Sequence, residues 1–139
     1  MQLCFLGTGA ADWDAPRPDG EYRRYSSALI DDCLLIDPGP TVFAAAEVCA
    51  ADLRRVRFVL NTHPHSDHFC AATLERLEAF GARFVPLSAG ETVVLNDYVI
   101  EAHRANHATS VEAVHFLIEA GGKRLYYGLD GAWLLYEEM

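Results

Sequence analysis

The sequence predicts an α/β protein that folds as a single domain over residues 1–139. In the first half of the chain, short apolar runs of strand length alternate with two stretches of helical periodicity. The second half contains strand-like runs that are separated by turn residues. A hydrophobic content of 51% and a charged content of 22% are those of a soluble globular protein with one buried core.

The first elements are a buried strand, an irregular loop and a hairpin. Residues 3–6 are apolar and are followed by glycine, which ends the strand. Residues 11–24 contain prolines, aspartates and a glycine, and we predict a loop there. Two apolar runs, 27–30 and 33–36, flank Asp31-Asp32, so that this pair forms the turn of a hairpin.

Two predicted helices follow, with a strand between them. Residues 41–53 are rich in alanine, and Thr41 lies near the N-cap. Residues 56–60, VRFVL, are apolar apart from Arg57 and form the next strand. Residues 69–80 show helical periodicity, and Gly81 is a suitable C-terminal stop.

The spacing of apolar residues changes after Gly81 from a helical to a strand pattern, and strands are predicted for the rest of the chain. The turn pairs Asn96-Asp97 and Gly121-Gly122 join neighbouring strands as hairpins. A further apolar run occupies residues 132–135. The predicted strands are residues 83–86, 91–95, 98–103, 113–119 and 123–127.

Charge and hydropathy exclude several classes of function. A net charge of −9 disfavours nucleic acid as a partner, because a sequence-independent grip on phosphates needs a basic face. The same charge disfavours anionic membranes, and no run of about 18 apolar residues is present to span one. The N-terminus lacks the basic and apolar regions of a signal peptide. We therefore expect a cytoplasmic protein.

The strongest functional signal is the segment His63-Pro64-His65-Ser66-Asp67-His68. Three imidazoles and a carboxylate within six residues indicate a metal site. In extended chain, residues two apart point the same way, so His63 and His65 can bind one metal. Asp67 and His68 follow where the predicted helix begins, so they project from a different backbone direction and suit a second metal close by.

The ligand types indicate which metal and which kind of site. Imidazole and carboxylate suit Zn²⁺, with Fe and Mn as competitors. The segment contains no thiolate, which argues against a closed structural zinc site. At a site with an open position, the metal would lower the pKa of a bound water toward ~7. A polar cluster in a surface loop is the alternative, and the spacing disfavours it. Cys70 is a weaker candidate ligand.

The remaining cysteines and histidines carry less information. Cys4, Cys33, Cys49 and Cys70 form no Cys-x-x-Cys pair, and we expect reduced thiols. His103 and His115 fall inside strand patterns, and we expect ordinary half-buried or surface residues. His107 differs, because it follows Asn106 at the end of a predicted strand and precedes a loop at residues 108–110.

Four segments together resemble the metallo-β-lactamase fold superfamily of metal-dependent hydrolases, and they occur in the family's order. The metal signature of that family resembles residues 59–68, VLNTHPHSDH, and the resemblance extends through essentially the whole chain. The other three segments are residues 34–39 (LLIDPG), Asn106-His107 with the strand 114–118, and residues 125–130 (LYYGLD).

The resemblance implies a four-layer αββα sandwich and a site with two divalent metal ions. By this resemblance, one metal is bound by His63, His65 and His107, the other by Asp67 and His68, and Asp130 bridges both. Asp37 would bind no metal but would hydrogen-bond near the motif and hold it in place.

Two features depart from the family pattern. The family supplies one more metal-binding histidine from a strand after the bridging aspartate, and no histidine follows His115 here. The family domain also continues well beyond this length, so the resemblance implies the N-terminal portion of the sandwich, incomplete at its C-terminus. We expect a truncated chain, or else one that another chain completes, as in a homodimer.

The N-terminal segments resemble one branch of the family. Leu6-Gly7-Thr8-Gly9 and residues 23–31 are similar to the cyclic phosphodiesterases and, more distantly, to the tRNA 3′-end processing endonucleases. We therefore predict a hydrolase that attacks a phosphodiester of a small-molecule substrate with a metal-bound hydroxide. Asp67 and Asp130 would hold the metals and orient the hydroxide. Arg23 and Arg24 either reach the phosphate or form a solvated pair.

Three alternatives stay open. A thioester or lactone hydrolase of the same superfamily would use the same six residues. A di-iron redox protein on this fold is disfavoured, because His65 stands where that group has a glutamate. A fragment that binds metal without catalysis is the third alternative, since one ligand and part of the fold are missing.

Overall fold

The computed structural model describes residues 1–107 and 111–131, so the predicted apolar run at 132–135 and the loop at 108–110 lie outside the described residues. The chain divides into two compact units. The N-terminal unit contains residues 2–61 and 65–85, and the C-terminal unit contains Met1, residues 62–64 and the described residues from 86 to 131.

The N-terminal unit contains a five-stranded mixed sheet of order β1-β2-β3-β4-β5 and two α-helices. The first three strands are antiparallel, whereas β3, β4 and β5 are parallel and are connected through the helices. The predicted hairpin across Asp31-Asp32 is confirmed. The elements are β1 Leu3–Gly7, β2 Ser27–Ile30, β3 Leu34–Ile36, α1 Val42–Val48, the 3₁₀ helix Leu53–Arg55, β4 Phe58–Leu60, α2 Ala71–Ala79 and β5 Arg83–Phe84.

The core of this unit lies between the sheet and its helices. Leu29, Leu35 and Val59 are paired across β2, β3 and β4 and therefore form one row on the sheet. Val42 of α1 and Leu77 of α2 belong to the same buried cluster. The burial of these apolar side chains is the main source of stability in this unit, at roughly 25 cal/mol per Å² of apolar surface removed from water.

Both helices are shorter than predicted. The helix predicted over residues 41–53 ends at Val48, because the backbone enters the left-handed region at Ala50 (φ 54°). A separate 3₁₀ turn follows, and the Asp52 side chain caps it by accepting a hydrogen bond from the Arg54 N–H at 3.1 Å. The second helix begins at Ala71 instead of residue 69, after an extended Cys70.

The C-terminal unit contains a four-stranded antiparallel sheet of order β6-β7-β8-β9. Positive φ angles at Asn96, Gly121 and Gly122 make its two tight turns, as the turn pairs predicted. Alternate residues such as Ile100, Phe116 and Ile118 are buried on one face. The strands are β6 Thr92–Leu95, β7 Tyr98–Arg104, β8 Val114–Ala120 and β9 Lys123–Tyr127.

The α/β class is therefore confirmed, and the strand bounds differ from the predicted ones by up to two residues. Among the described residues, no helix has the length and apolar character that crossing a membrane requires.

Candidate metal centre

The histidine motif lies in irregular chain between β4 and α2. The backbone N–H groups of His68 and Phe69 donate to the carbonyl of His65, at 3.0 and 2.8 Å, and close a turn. Asp67 and His68 lie within this turn, whereas α2 begins at Ala71. The prediction that they lie where the helix begins is therefore wrong, because the turn completes its hydrogen bonds before the helix starts.

Asp37 supports the motif from the end of β3, as the resemblance implied. Its Oδ2 lies 3.0 Å from Nδ1 of His68, and its Oδ1 accepts a hydrogen bond of 3.0 Å from Nδ2 of Asn61. Asn61 also donates to the carbonyl of His68 at 3.1 Å. The Asp37 side chain is fully buried, so these contacts replace the water that a carboxylate would otherwise bind.

Asp67 faces the other nitrogen of the same ring. Its Oδ2 lies 3.3 Å from Nε2 of His68, and both side chains are buried. A Cβ atom on Gly39 would lie 2.0 Å from the Asp67 carbonyl oxygen, so only glycine fits beside this turn. We refer to Asp37, Asn61, Asp67 and His68 as the N-terminal His/Asp cluster.

His63 is held in the C-terminal unit through Thr62. Its Nδ1 lies 2.9 Å from the Thr62 hydroxyl, and the Thr62 carbonyl accepts a hydrogen bond of 2.9 Å from the Val114 N–H at the start of β8. The His63 side chain is 1% exposed. The backbone of Thr62 therefore anchors the start of the motif to β8, and the Thr62 hydroxyl orients the imidazole of His63.

His107 and Asp130 lie beside His63. The rings of His63 and His107 have centroids 4.6 Å apart at 62°, with ligand nitrogens within 4.8 Å of one another. Oδ2 of Asp130 lies 3.7 Å from Nε2 of His63. We refer to Thr62, His63, His107 and Asp130 as the C-terminal His/Asp cluster.

The predicted ligands are thus divided between the two units. The C-terminal unit contains His63, His107 and Asp130, and the N-terminal unit contains His65, Asp67 and His68. The described residues include His and Asp groups that could hold a metal ion. A donor set of imidazoles and carboxylates fits Zn²⁺, Mn²⁺ or Fe²⁺.

Cys70 follows the motif as the N-cap of α2. Hydrogen bonds from the Thr73 side chain and backbone lower the pKa of its thiol. Among the described residues, none of the His/Asp groups that could hold a metal includes Cys70.

His115 is the residue whose environment was predicted wrongly. We expected a half-buried or surface position, but its side chain is 1% exposed and its Nδ1 lies 2.9 Å from the Tyr126 hydroxyl. The burial depends on the register between β8 and β9 and on the small residue Gly131, which lies against the ring. Neither is readable from strand periodicity, although the two glycines at 128 and 131 signal a close approach.

Comparisons with known proteins agree with this architecture. A sequence profile of the metallo-β-lactamase superfamily matches residues 23–83. A search of curated proteins finds no match to the chain.

Solved structures share the fold at low sequence identity. Human tRNase Z, short form, aligns with a TM-score of 0.73 at 17% identity, over 99% of this chain and 72% of that chain. The metallo-β-lactamase fold protein YhfI from Bacillus subtilis gives 0.67 at 14% identity, over 89% and 60%. A HARLDQ-motif mutant of a metallo-β-lactamase from Cronobacter sakazakii gives 0.61 at 19% identity, over 91% and 60%.

The chain therefore spans 60% of the length of two of these structures. The profile match covers the metal motif and its supporting aspartate, and the structural matches cover most of the described chain. On this evidence the chain has the α/β architecture of the metallo-β-lactamase fold, and residues 23–83 are similar to the superfamily's sequence profile.

Proposed function

We propose that the protein is a metal-dependent hydrolase with two divalent metal ions. The proposed metal ligands are His63, His65, Asp67, His68, His107 and Asp130. One observation carries the proposal: two motif histidines are buried, and each has its Nδ1 beside a supporting oxygen and its Nε2 beside a carboxylate.

The electrostatics of His68 support a bound cation. Both of its ring nitrogens face carboxylate oxygens, at 3.0 Å from Asp37 and 3.3 Å from Asp67. In the tautomer that carries its proton on Nδ1, His68 donates a hydrogen bond to Asp37, and the lone pair of Nε2 is directed at the carboxylate of Asp67. A buried group of this kind needs positive charge, and a divalent metal held by His68 and Asp67 would supply it.

Each cluster contributes a defined part of the chemistry. When bound, divalent metal ions polarise a substrate oxygen and make a hydroxide nucleophile available at neutral pH. Asp67 and Asp130 would hold the metals and orient the nucleophile, and Asp37 and Thr62 would fix the rings of His68 and His63. Zn²⁺ is the preferred metal, with Mn²⁺ and Fe²⁺ as alternatives.

We propose a small phosphodiester as the substrate. The likeness to the cyclic phosphodiesterase branch in the N-terminal segments supports it, and the net charge of −9 disfavours a large nucleic acid. Arg23 offers a half-exposed guanidinium, although Glu21 already neutralises it through an ion pair of 2.8 Å. The four free thiols are in keeping with a reducing cytoplasm.

The test combines metal analysis with hydrolysis. We expect the folded chain to bind about two Zn²⁺ or Mn²⁺ ions and to hydrolyse bis(4-nitrophenyl) phosphate, on the open-site chemistry of such ions. Asp67→Asn should lose both properties, whereas Asp97→Asn, a matched change at an exposed turn residue, should keep them. A folded chain that binds no metal contradicts the proposal.

Two further outcomes separate the alternatives. Turnover of a thioester or lactone in place of the phosphodiester would support a different substrate class at the same residues. Bound metal without turnover of any of these esters would show that this chain binds metal without catalysis.

A further inference from the structure

Of the three buried histidines, His115 is the one outside the proposed ligand set. His115 on β8 places its Nδ1 2.9 Å from the hydroxyl of Tyr126 on β9, and the two rings meet edge to face at 5.6 Å and 81°. The His115 side chain is 1% exposed, whereas Tyr126 is 36% exposed. The hydrogen bond therefore fixes the orientation of a buried ring through a neighbour at the surface.

The His115–Tyr126 pair packs against the turn that follows β9. A Cβ atom on Gly131 would lie 2.6 Å from Cε1 and 2.7 Å from Nε2 of His115. A Cβ atom on Gly128 would lie 2.8 Å from Cε1 of Tyr126. The two rings thus occupy the space beside both glycines that flank Leu129 and Asp130.

The turn itself needs such support. Asp130 has a φ of 54°, which is in the left-handed region that non-glycine residues rarely adopt. A residue persists there only where its surroundings determine the conformation. The ring of His115 against Gly131 is a contact that excludes other paths of the backbone at this point.

We infer that His115 and Tyr126 are positioning residues that hold the 128–131 turn so that the Asp130 carboxylate faces His63. The inference rests on the proposed function, because it takes Asp130 as a metal ligand. Neither side chain has to touch the metal or the substrate. Loss of residues that orient ligands typically reduces metal affinity about 10- to 100-fold.

The test measures metal affinity and the ligand field, using Co²⁺ in place of Zn²⁺. We expect His115→Ala to weaken Co²⁺ binding by about 10-fold or more and to change the visible absorption spectrum of the bound ion. Tyr126→Phe keeps the ring and removes only the hydroxyl, so it should weaken binding in the same direction by less.

His103→Ala is the matched control. His103 lies directly across from His115 on β7, and its ring also lies against Tyr126, with centroids 6.3 Å apart. It supplies none of the three atoms nearest to a Cβ on Gly131, which all belong to His115. We expect this variant to bind Co²⁺ like the wild type.

A compensating pair separates positioning from general loss of structure. Gly131→Ala should weaken Co²⁺ binding because the new methyl group collides with the His115 ring. The double variant His115→Ala/Gly131→Ala removes the collision and should bind Co²⁺ no more weakly than His115→Ala alone. Losses that simply add would overturn the inference.

The outcomes distinguish this inference from the proposed function. If the folded wild type binds no Co²⁺, the proposed function is wrong and the inference falls with it. If the wild type binds Co²⁺ and the His115 and Tyr126 variants bind it equally well, only the inference is wrong. Should circular dichroism show that His115→Ala is unfolded, Tyr126→Phe and its Co²⁺ affinity decide the question.

Discussion

In both His/Asp clusters a buried histidine has Nδ1 beside a supporting oxygen and Nε2 beside a carboxylate, but the supporting groups differ in burial. In the N-terminal cluster, His68 is held by the fully buried carboxylate of Asp37, at the end of a central strand. In the C-terminal cluster, His63 is held by the hydroxyl of Thr62, and its carboxylate partner Asp130 is 35% exposed on a turn. The N-terminal cluster is therefore bound into the core, whereas the C-terminal cluster depends on local packing.

Because of this difference, we expect the N-terminal cluster to affect mainly the unfolding free energy and the C-terminal cluster to affect mainly metal affinity. A buried carboxylate that two hydrogen-bonding partners share is costly to disturb, because its removal takes away the acceptor that both partners use. A neutral hydroxyl beside one ring nitrogen contributes less, and its loss mainly frees the ring to turn. Substitution of Asp37 in the first cluster should lower the unfolding free energy, and substitution of Thr62 in the second should weaken the site within a folded chain.

The largest effect should come from Asp37→Ala. The change leaves His68 and Asn61 without their shared acceptor in the interior, and breaking a buried pair of this kind costs about 3 kcal/mol or more. Urea unfolding followed by circular dichroism measures the change. Glu47→Ala, at an exposed position on α1, is the control and should stay within about 0.5 kcal/mol of the wild type.

An unfolding free energy for Asp37→Ala equal to that of Glu47→Ala would contradict the comparison. It would mean that the buried contacts of Asp37 orient the motif without stabilising the N-terminal unit.

Thr62→Val should have a smaller effect on stability and a distinct effect on metal binding. Valine has nearly the shape of threonine but cannot hydrogen-bond to Nδ1 of His63, so the unfolding free energy should fall by only about 1 kcal/mol. Loss of ring orientation should still reduce Zn²⁺ affinity by about 10-fold. Competition with a chromophoric chelator measures the affinity.

Thr92→Val is the matched control for Thr62→Val, since Thr92 is exposed on β6. If Thr62→Val destabilises the chain as much as Asp37→Ala, the two clusters do not differ in the way that their burial indicates.

The sequence predicted the parts of this arrangement that depend on local pattern. The hairpin turns at residues 31–32 and 121–122 are local features, and both were readable without a structure. A hydrogen bond of Asp37 near the motif was also expected, but only through a family resemblance. The partner, His68, comes close to Asp37 through the pairing of β3 with β4, which local sequence does not reveal.

Features that depend on strand register or on contacts between distant residues could not be predicted from the sequence. His115 falls in an ordinary strand pattern, and its burial follows from its position beside Tyr126 and Gly131. The early end of α1 follows from the left-handed turn at Ala50, a residue that helix propensity places inside a helix. Tertiary contacts override local preference in both cases.

The smallest expected effect concerns the thiol beside the N-terminal cluster, and it tests how well ordered that region is. Hydrogen bonds from the side chain and backbone of Thr73 lower the pKa of the Cys70 thiol. Burial raises the pKa of the Cys4 and Cys33 thiols. Because the thiolate is the reactive form, Cys70 should be alkylated by iodoacetamide at lower pH than Cys4 or Cys33.

The measurement is the rate of alkylation of each cysteine peptide against pH, read by mass spectrometry on the folded chain. A lowered pKa means that Cys70 is already partly ionised below its ordinary range, so its rate profile should shift to lower pH. Thr73→Val removes the side-chain hydrogen bond and should move that profile back upward, while the profiles of Cys4 and Cys33 stay in place. A Cys70 midpoint at or above that of Cys4 would show that the Thr73 contacts do not persist in solution. The ordered support of the N-terminal cluster would then be confined to the contacts of Asp37.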